Sequence, residues 1–158
     1  MPPPLLFDIA QVEADRYLFS REQIYEMLPH RHEFMLLDGV CMVDRETKCV
    51  AAYADITSES WWVRGHVPGR PLLPGVLMLE MAAQTSAIAA QLLGDYTDFI
   101  GFGGVDECKF RDSVVPPARL YLLCKGTEFR PRRIVSDTQG VANGKLVFEA
   151  RITGLTLR

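Results

Sequence analysis

Apolar positions in this chain are spaced in two ways. From Gly75 to Leu93 nearly every residue is apolar or small, and only Glu80, Gln84, Thr85, Ser86 and Gln91 interrupt the run. That length and density predict one long buried helix, opened by Pro74 and Gly75 and closed at Gly94. Small residues at Ala82, Ala83, Ser86, Ala87, Ala89 and Ala90 would let a curved sheet approach it closely. The remaining runs are short and rich in β-formers. "FMLLDGVCMVD" and "KCVAAYADI", separated by "RETK", predict an antiparallel hairpin. "FIGFGGVD", "ECKFRDSV", "RLYLLCKGTEFRP", "RRIVSDTQGVA" and "KLVFEARITGLTL" predict further strands. Asn143-Gly144 between the last two is a strong hairpin signal. One long helix and one large antiparallel sheet define an α+β chain with the helix packed on the sheet.

Three other segments complete the pattern. Ser20 followed by Gln23 is a capping-box spacing, so a short helix is expected from about Arg21 to Met27, ended by Pro29. Residues 1–20, headed by Pro2, Pro3 and Pro4, are expected to be an irregular leader, with residues 21–158 as a single domain. "TSESWW" is expected to form a short turn.

Composition narrows the function classes. The chain has 158 residues, 48% hydrophobic and 23% charged, which suits one globular domain. A net charge of -3 argues against nucleic acid as a partner. The N-terminus lacks the basic and apolar regions of a signal peptide. The long apolar run carries Glu80, Gln84 and Gln91, so it is expected to be a core helix, with no membrane span. Cys41, Cys49, Cys108 and Cys124 are scattered, which predicts reduced thiols in a cytoplasmic protein. His30 and His32 lack the neighbouring ligands that a metal site needs, so no metal is expected.

The candidate chemistry lies in "GHVPGRPLLPGVLMLEMAAQ", from Gly65 to Gln84. A lone carboxyl group in an apolar helix costs stability unless it is paired or neutral. His66 can exchange a proton near neutral pH. Glu80, in apolar surroundings, is expected to have a raised pKa and to serve as an acid. The N–H groups of Gly75 and Val76 at the helix start can stabilise an oxyanion. Base, acid and oxyanion donor are the parts needed to remove a proton beside a thioester carbonyl and expel a β-hydroxyl. Gln84, one turn beyond Glu80, could hold that carboxyl group or satisfy a buried backbone group. Each residue also has a plain structural reading, Glu80 as a paired core acid and His66 as a surface side chain.

"LPHRHEFMLLD", from Leu28 to Asp38, the stretch above, and "KFRDSVVP", from Lys109 to Pro116, together resemble the hot-dog-fold 3-hydroxyacyl-[acyl-carrier-protein] dehydratases of type II fatty acid synthesis. The resemblance runs in order from about Leu28 onward. It implies a curved antiparallel sheet wrapped around a central helix. It also implies His66 and Glu80 as the catalytic pair, in the glutamate-type branch, with no metal or redox cofactor. The pair would meet across a homodimer interface, so at least a homodimer with shared active sites is expected; a trimer of dimers is left open. The implied partner is acyl carrier protein bearing a phosphopantetheine-linked substrate. Val67 stands where the family usually has an aromatic residue, Glu33 where it has proline, and "VVPPA" where it has "VVPGD".

Several side chains have competing readings. Arg70, Lys109 and Arg111 are docking candidates for an acidic carrier protein, Arg70 foremost, against the alternative of a solvated charged face. Arg130, Arg132 and Arg133 are read as such a face. Trp61, Trp62, Phe102, Phe110 and Met78 are read chiefly as core or interface residues, with part of the set lining an acyl tunnel. In the implied pattern His30 and Arg31 serve the fold or the interface. Competing functions are a hot-dog acyl thioesterase, disfavoured by His66, and a non-catalytic acyl or carrier-protein binding paralogue, disfavoured by the presence of both His66 and Glu80. Added isomerase activity is disfavoured by Glu80.

Overall fold

The computed structural model describes residues 1–13 and 17–157, so part of the leader and the last residue of the expected domain lie outside the described residues. A seven-stranded antiparallel sheet, in the order β1-β2-β3-β5-β6-β7-β4, curls around one helix. Its strands are β1 (Phe19–Ser20), β2 (Gly39–Asp44), β3 (Cys49–Ile56), β4 (Phe99–Phe110), β5 (Ala118–Arg130), β6 (Arg133–Ala142) and β7 (Lys145–Leu157). The helices are α1 (Ile9–Glu13), α2 (Arg21–Met27), α3 (Val63–His66) and the central α4 (Gly75–Gly94). This is the expected α+β architecture.

Local chemistry explains the boundaries. The Ser20 hydroxyl accepts from Gln23 N while the Gln23 side chain accepts from Ser20 N, which closes the capping box of α2. Asn143 and Gly144 both take positive φ, 52° and 72°, and their turn joins β6 to β7. Two strands expected after α4 are one: β4 runs through both, kinked by a bulge between Asp106 and Lys109 with Glu107 at φ 50°. The left-handed residue that ends α4 is Asp95, at φ 55°, and not Gly94. Glycine is needed at 94 for another reason: a Cβ there would collide with the Tyr96 ring and press on Phe129.

The core lies between α4 and the inner face of the sheet. Ala82, Ser86, Ala89 and Ala90 are buried there, with Val50, Ala52, Leu120, Leu122 and Phe148 facing them. Burying each such large aliphatic or aromatic side chain contributes roughly 1.5–3 kcal/mol. α4 is long and apolar enough to cross a membrane by length and composition, yet it is the helix the sheet encloses. One stripe of it stays less covered: Val76 is 70% exposed, and Glu80, Ala83 and Ala87 on the same face are half-buried.

The described part of residues 1–20 is more ordered than the expected irregular leader. It holds α1 and β1, and Val12 is buried in a second apolar cluster with Cys41, Ala51, Tyr53, Leu123 and Val141. Those strand residues alternate with the ones facing α4, so the segment covers the outer face of the sheet. The buried Gln139 side chain fastens it, accepting from Leu6 N at 2.8 Å and donating to Pro4 O at 3.0 Å. Gln139→Ala strands both backbone groups. The expected result is a loss of about 1–3 kcal/mol in denaturant unfolding, with earlier proteolytic cleavage near the N-terminus.

Candidate active site

His66 ends α3, and its ring is fixed from one side. Nδ1 lies 2.8 Å from Leu72 O. A carbonyl oxygen only accepts, so Nδ1 carries the proton and Nε2 is left with its lone pair outward. Loop residues 67–74 bring this acceptor back to the ring, with Gly69 at φ 78° supplying a bend that favours glycine. The loop is tied down by Leu73 N donating to Val114 O at 2.9 Å. Phe110 packs against the helix start so closely that a Cβ at Gly75 would lie 2.9 Å from its ring. The histidine loop, the α4 N-terminus and the segment after β4 therefore form one unit.

Gly75 and Val76 head α4, ahead of Leu77 and Met78, whose N–H groups donate to Pro74 O. Proline at 74 offers no N–H of its own, so the two residues after it supply the first donors at the positive end of the helix.

Glu80 is held in a polar network that the sequence did not reveal. Its Oε1 accepts from Gln84 Nε2 at 3.0 Å and lies 3.4 Å from His30 Nε2. Gln84 also donates to Phe34 O at 2.9 Å and accepts from Tyr25 Oη at 2.7 Å, and Tyr25 in turn accepts from Leu37 N. Gln84 thus performs both tasks considered for it. The expected rise in the Glu80 pKa is corrected: burial pushes it up, but the contacts with His30 and Gln84 prevail and set it below its ordinary value. Glu80 is a carboxylate in this state. Burial pushes the Tyr25 hydroxyl upward, so it stays a neutral donor. His30, read from the sequence as a fold or interface residue, is a contact of the key carboxylate.

Beside Glu80 opens a slot of about 190 Å³, walled by Ala83 and Ala87 of α4, by Phe99, Ile100 and Phe102 of β4, and by Ile134 and Ile152 behind. Ala83 and Ala87 line this slot and also pack against the core between helix and sheet, as expected of them. Phe102 and Phe110, expected in the core, are 49% and 52% exposed, while Met78 is buried. Trp61 and Trp62 line a different cavity of about 570 Å³, with Arg21, Asp38, Asp55 and Met81. His66 is not among the residues lining the Glu80 slot, so within one described chain the two groups open onto different places. Arg70 in the histidine loop and Lys109 near the end of β4 are exposed, whereas Arg111 is engaged by Glu149 at 2.7 Å.

A curved sheet around one helix, with a fixed histidine and a held carboxylate at that helix, defines a hot-dog protein equipped for acid–base chemistry. Residues 28–151 match the family model described as a FabA-like domain, and the chain belongs to that family. A curated relative from Listeria monocytogenes, named 3-hydroxyacyl-[acyl-carrier-protein] dehydratase FabZ, is 39% identical over 132 residues, 83% of this chain and 91% of that protein. A Bacillus velezensis relative of the same name is 35% identical over 139 residues, 86% of this chain and 96% of that protein. Among solved structures, the dehydratase heterocomplex ApeI:P from Xenorhabdus doucetiae matches with a TM-score of 0.70 at 14% identity, over 85% of this chain and 91% of that one. A mutant thioesterase from Pseudomonas aeruginosa matches with a TM-score of 0.66 at 18% identity, over 90% and 98%. Both likenesses establish the hot-dog fold.

Proposed function

We propose that this chain is a hydro-lyase that dehydrates (3R)-3-hydroxyacyl thioesters of acyl carrier protein to trans-2-enoyl thioesters in type II fatty acid synthesis. The observation that carries the reading is the fixed His66 ring, with Nδ1 held 2.8 Å from Leu72 O and Nε2 free as a base. His66 Nε2 takes the C2 proton. The N–H groups of Gly75 and Val76 stabilise the negative charge that grows on the thioester oxygen. Glu80 passes a proton to the C3 hydroxyl, the C3–O bond breaks as C2=C3 forms, and water leaves. Burial pushes the Glu80 pKa up, but in the free chain the contacts with His30 and Gln84 outweigh it. Substrate filling the slot adds to that push and favours the protonated acid. Gln84 keeps the carboxyl group in place.

The acyl chain runs into the slot between α4 and β4. The working unit is a homodimer in which His66 of one copy faces Glu80 of the other. Two features support this. β4 is a twelve-residue edge strand with Phe99, Phe102, Val105 and Phe110 exposed, an edge that calls for cover. The uncovered stripe of α4 through Val76 and Glu80 is the other. Arg70 and Lys109 steer the acidic carrier toward the histidine loop, and Arg111 contributes less because Glu149 holds it. The cytoplasm suits a chain whose four cysteines are free.

The test is ultraviolet detection of enoyl thioester formed from 3-hydroxyacyl-carrier thioesters, with hydration of crotonoyl thioester as the reverse reaction. Turnover in both directions is expected. Release of free thiol instead would turn the assignment to thioesterase, and binding without turnover would make the chain an acyl-binding module.

A further inference from the structure

We propose that His30 is a positioning residue for Glu80: its Nε2–H and the Gln84 amide together occupy Oε1, so that the proton exchanged with the substrate hydroxyl is carried on Oε2. The inference rests on the reading of Glu80 as the acid of the dehydration.

Three observations carry it. Both contacts to the carboxyl group fall on one oxygen, Oε1, at 3.0 Å from Gln84 Nε2 and 3.4 Å from His30 Nε2. The imidazole is itself held in place. Arg31 Nη1 donates to His30 O at 2.7 Å and to Leu28 O at 3.0 Å, and the ring stands edge-on to Tyr25 at 6.5 Å. Tyr25 is fixed in turn by Gln84 and by Leu37 N. Last, His30 Nδ1 is buried and has no hydrogen-bond partner among the described residues. Buried polar atoms are normally paired, and an unpaired one calls for a reason. A proton on Nδ1 would be a stranded donor, and a stranded buried donor is costly. The ring therefore keeps its proton on Nε2, directed at Glu80. With Oε1 already accepting, an added proton goes to Oε2, the oxygen free to meet substrate.

The other ionisable groups beside the pair are Glu26, Arg31 and Asp98, which line a neighbouring cavity with His30. From α2 the pair meets the neutral Tyr25 hydroxyl through Gln84, and from the following loop Arg31, whose guanidinium is turned to two carbonyls. The slot residues contributed by β4, β6 and β7 are Phe99, Ile100, Gly101, Phe102, Ile134, Ile152, Thr153 and Gly154, none of them ionisable. His30 and Gln84 are thus the groups that oppose burial at Glu80, in agreement with the lowered carboxyl pKa.

The experiment compares dehydration by wild type, His30→Ala, His30→Gln and Glu80→Gln across pH, with thermal unfolding and gel filtration of each. His30→Ala loses a donor to Glu80, and His30→Leu loses it while keeping the volume of the ring, so the Glu80 pKa rises. Because dehydration needs the protonated acid, the limb of the pH profile that Glu80 governs moves to higher pH, while kcat falls about 10- to 100-fold through lost orientation and KM stays near wild type. His30→Gln places an amide donor near the Nε2 position and recovers most of kcat with a limb near that of wild type. An unshifted limb in folded His30→Ala, whatever its kcat, overturns the proposal, as does His30→Gln failing to improve on alanine. If His30→Ala loses its fold, His30→Leu, which keeps volume without a donor, replaces it under the same criteria. Glu80→Gln separates the two levels. Full turnover there removes the parent reading, whereas an inactive Glu80→Gln beside a wild-type pH profile in His30→Ala removes this inference alone.

Discussion

His66→Ala and Glu80→Gln are each expected to abolish dehydration while leaving a folded protein of unchanged size. A positioned proton-transfer group contributes roughly 10²- to 10⁴-fold, so each single variant is expected to lose turnover by at least the lower figure. The fold tolerates both changes for structural reasons. His66 is exposed, and its ring has one recorded bond, to Leu72 O, so its removal empties no core. Glu80→Gln keeps an oxygen for Gln84 Nε2 to donate to. The stability change it does cause has a defined pH dependence. The folded pKa of Glu80 lies below its ordinary value of 4.5. Its contribution is therefore fully present above about that value and is lost as pH falls through the lower folded value. Wild type and Glu80→Gln should differ in melting temperature at neutral pH and converge in acid. Turnover that survives in both folded variants would remove the acid–base assignment. Unfolding of either would show that the residue carries the structure.

The parts of the fold that are legible in the sequence are those written locally. The Ser20–Gln23 box, the Asn143-Gly144 turn and the apolar run of α4 each declare their own conformation. Where the chain departs from expectation, long-range packing decides. The sequence places the end of α4 at Gly94, but the left-handed position falls to Asp95, while Gly94 makes room for the Tyr96 ring. Leu5, Leu6, Phe7 and Val12 follow no helical or strand period because they pack singly on the outer face of the sheet. The candidate site divides in the same way. Its motif could be read residue by residue, yet the state of Glu80 could not. Sequence neighbours Leu79 and Met81 point to an apolar setting and a raised pKa. In the helix, however, the carboxyl group meets Gln84 one turn on and His30 from another element. No spacing rule links His30 to Glu80. The only signal was a histidine placed directly after Pro29, where α2 has just ended.

Mixing His66→Ala protomers with Glu80→Gln protomers is expected to restore activity that neither variant has alone. If His66 of one copy serves Glu80 of the other, a mixed dimer contains one site with both lesions and one site with none. Random exchange of two-fold dimers makes about half of them mixed, so the expected recovery is about a quarter of wild-type turnover per protomer. If both groups of a site came from one chain, every site in the mixture would carry a lesion and nothing would recover. The arrangement within the chain favours the first outcome. His66 ends α3 with its ring against Leu72 O, whereas Glu80 opens into a slot bounded by α4 and the β4 edge, and His66 is not among the residues lining that slot. Val76 and Glu80 lie on the stripe of α4 that its own sheet covers least. A second copy paired edge to edge along β4 would lay its histidine loop over that stripe, and would bury Phe99, Phe102 and Val105 in doing so. Phe102→Glu tests this geometry separately. A charge in that edge should give monomers by sedimentation and lose turnover together with dimerisation, with His66 and Glu80 untouched. A monomeric Phe102→Glu variant with wild-type turnover would instead place the complete site in one chain.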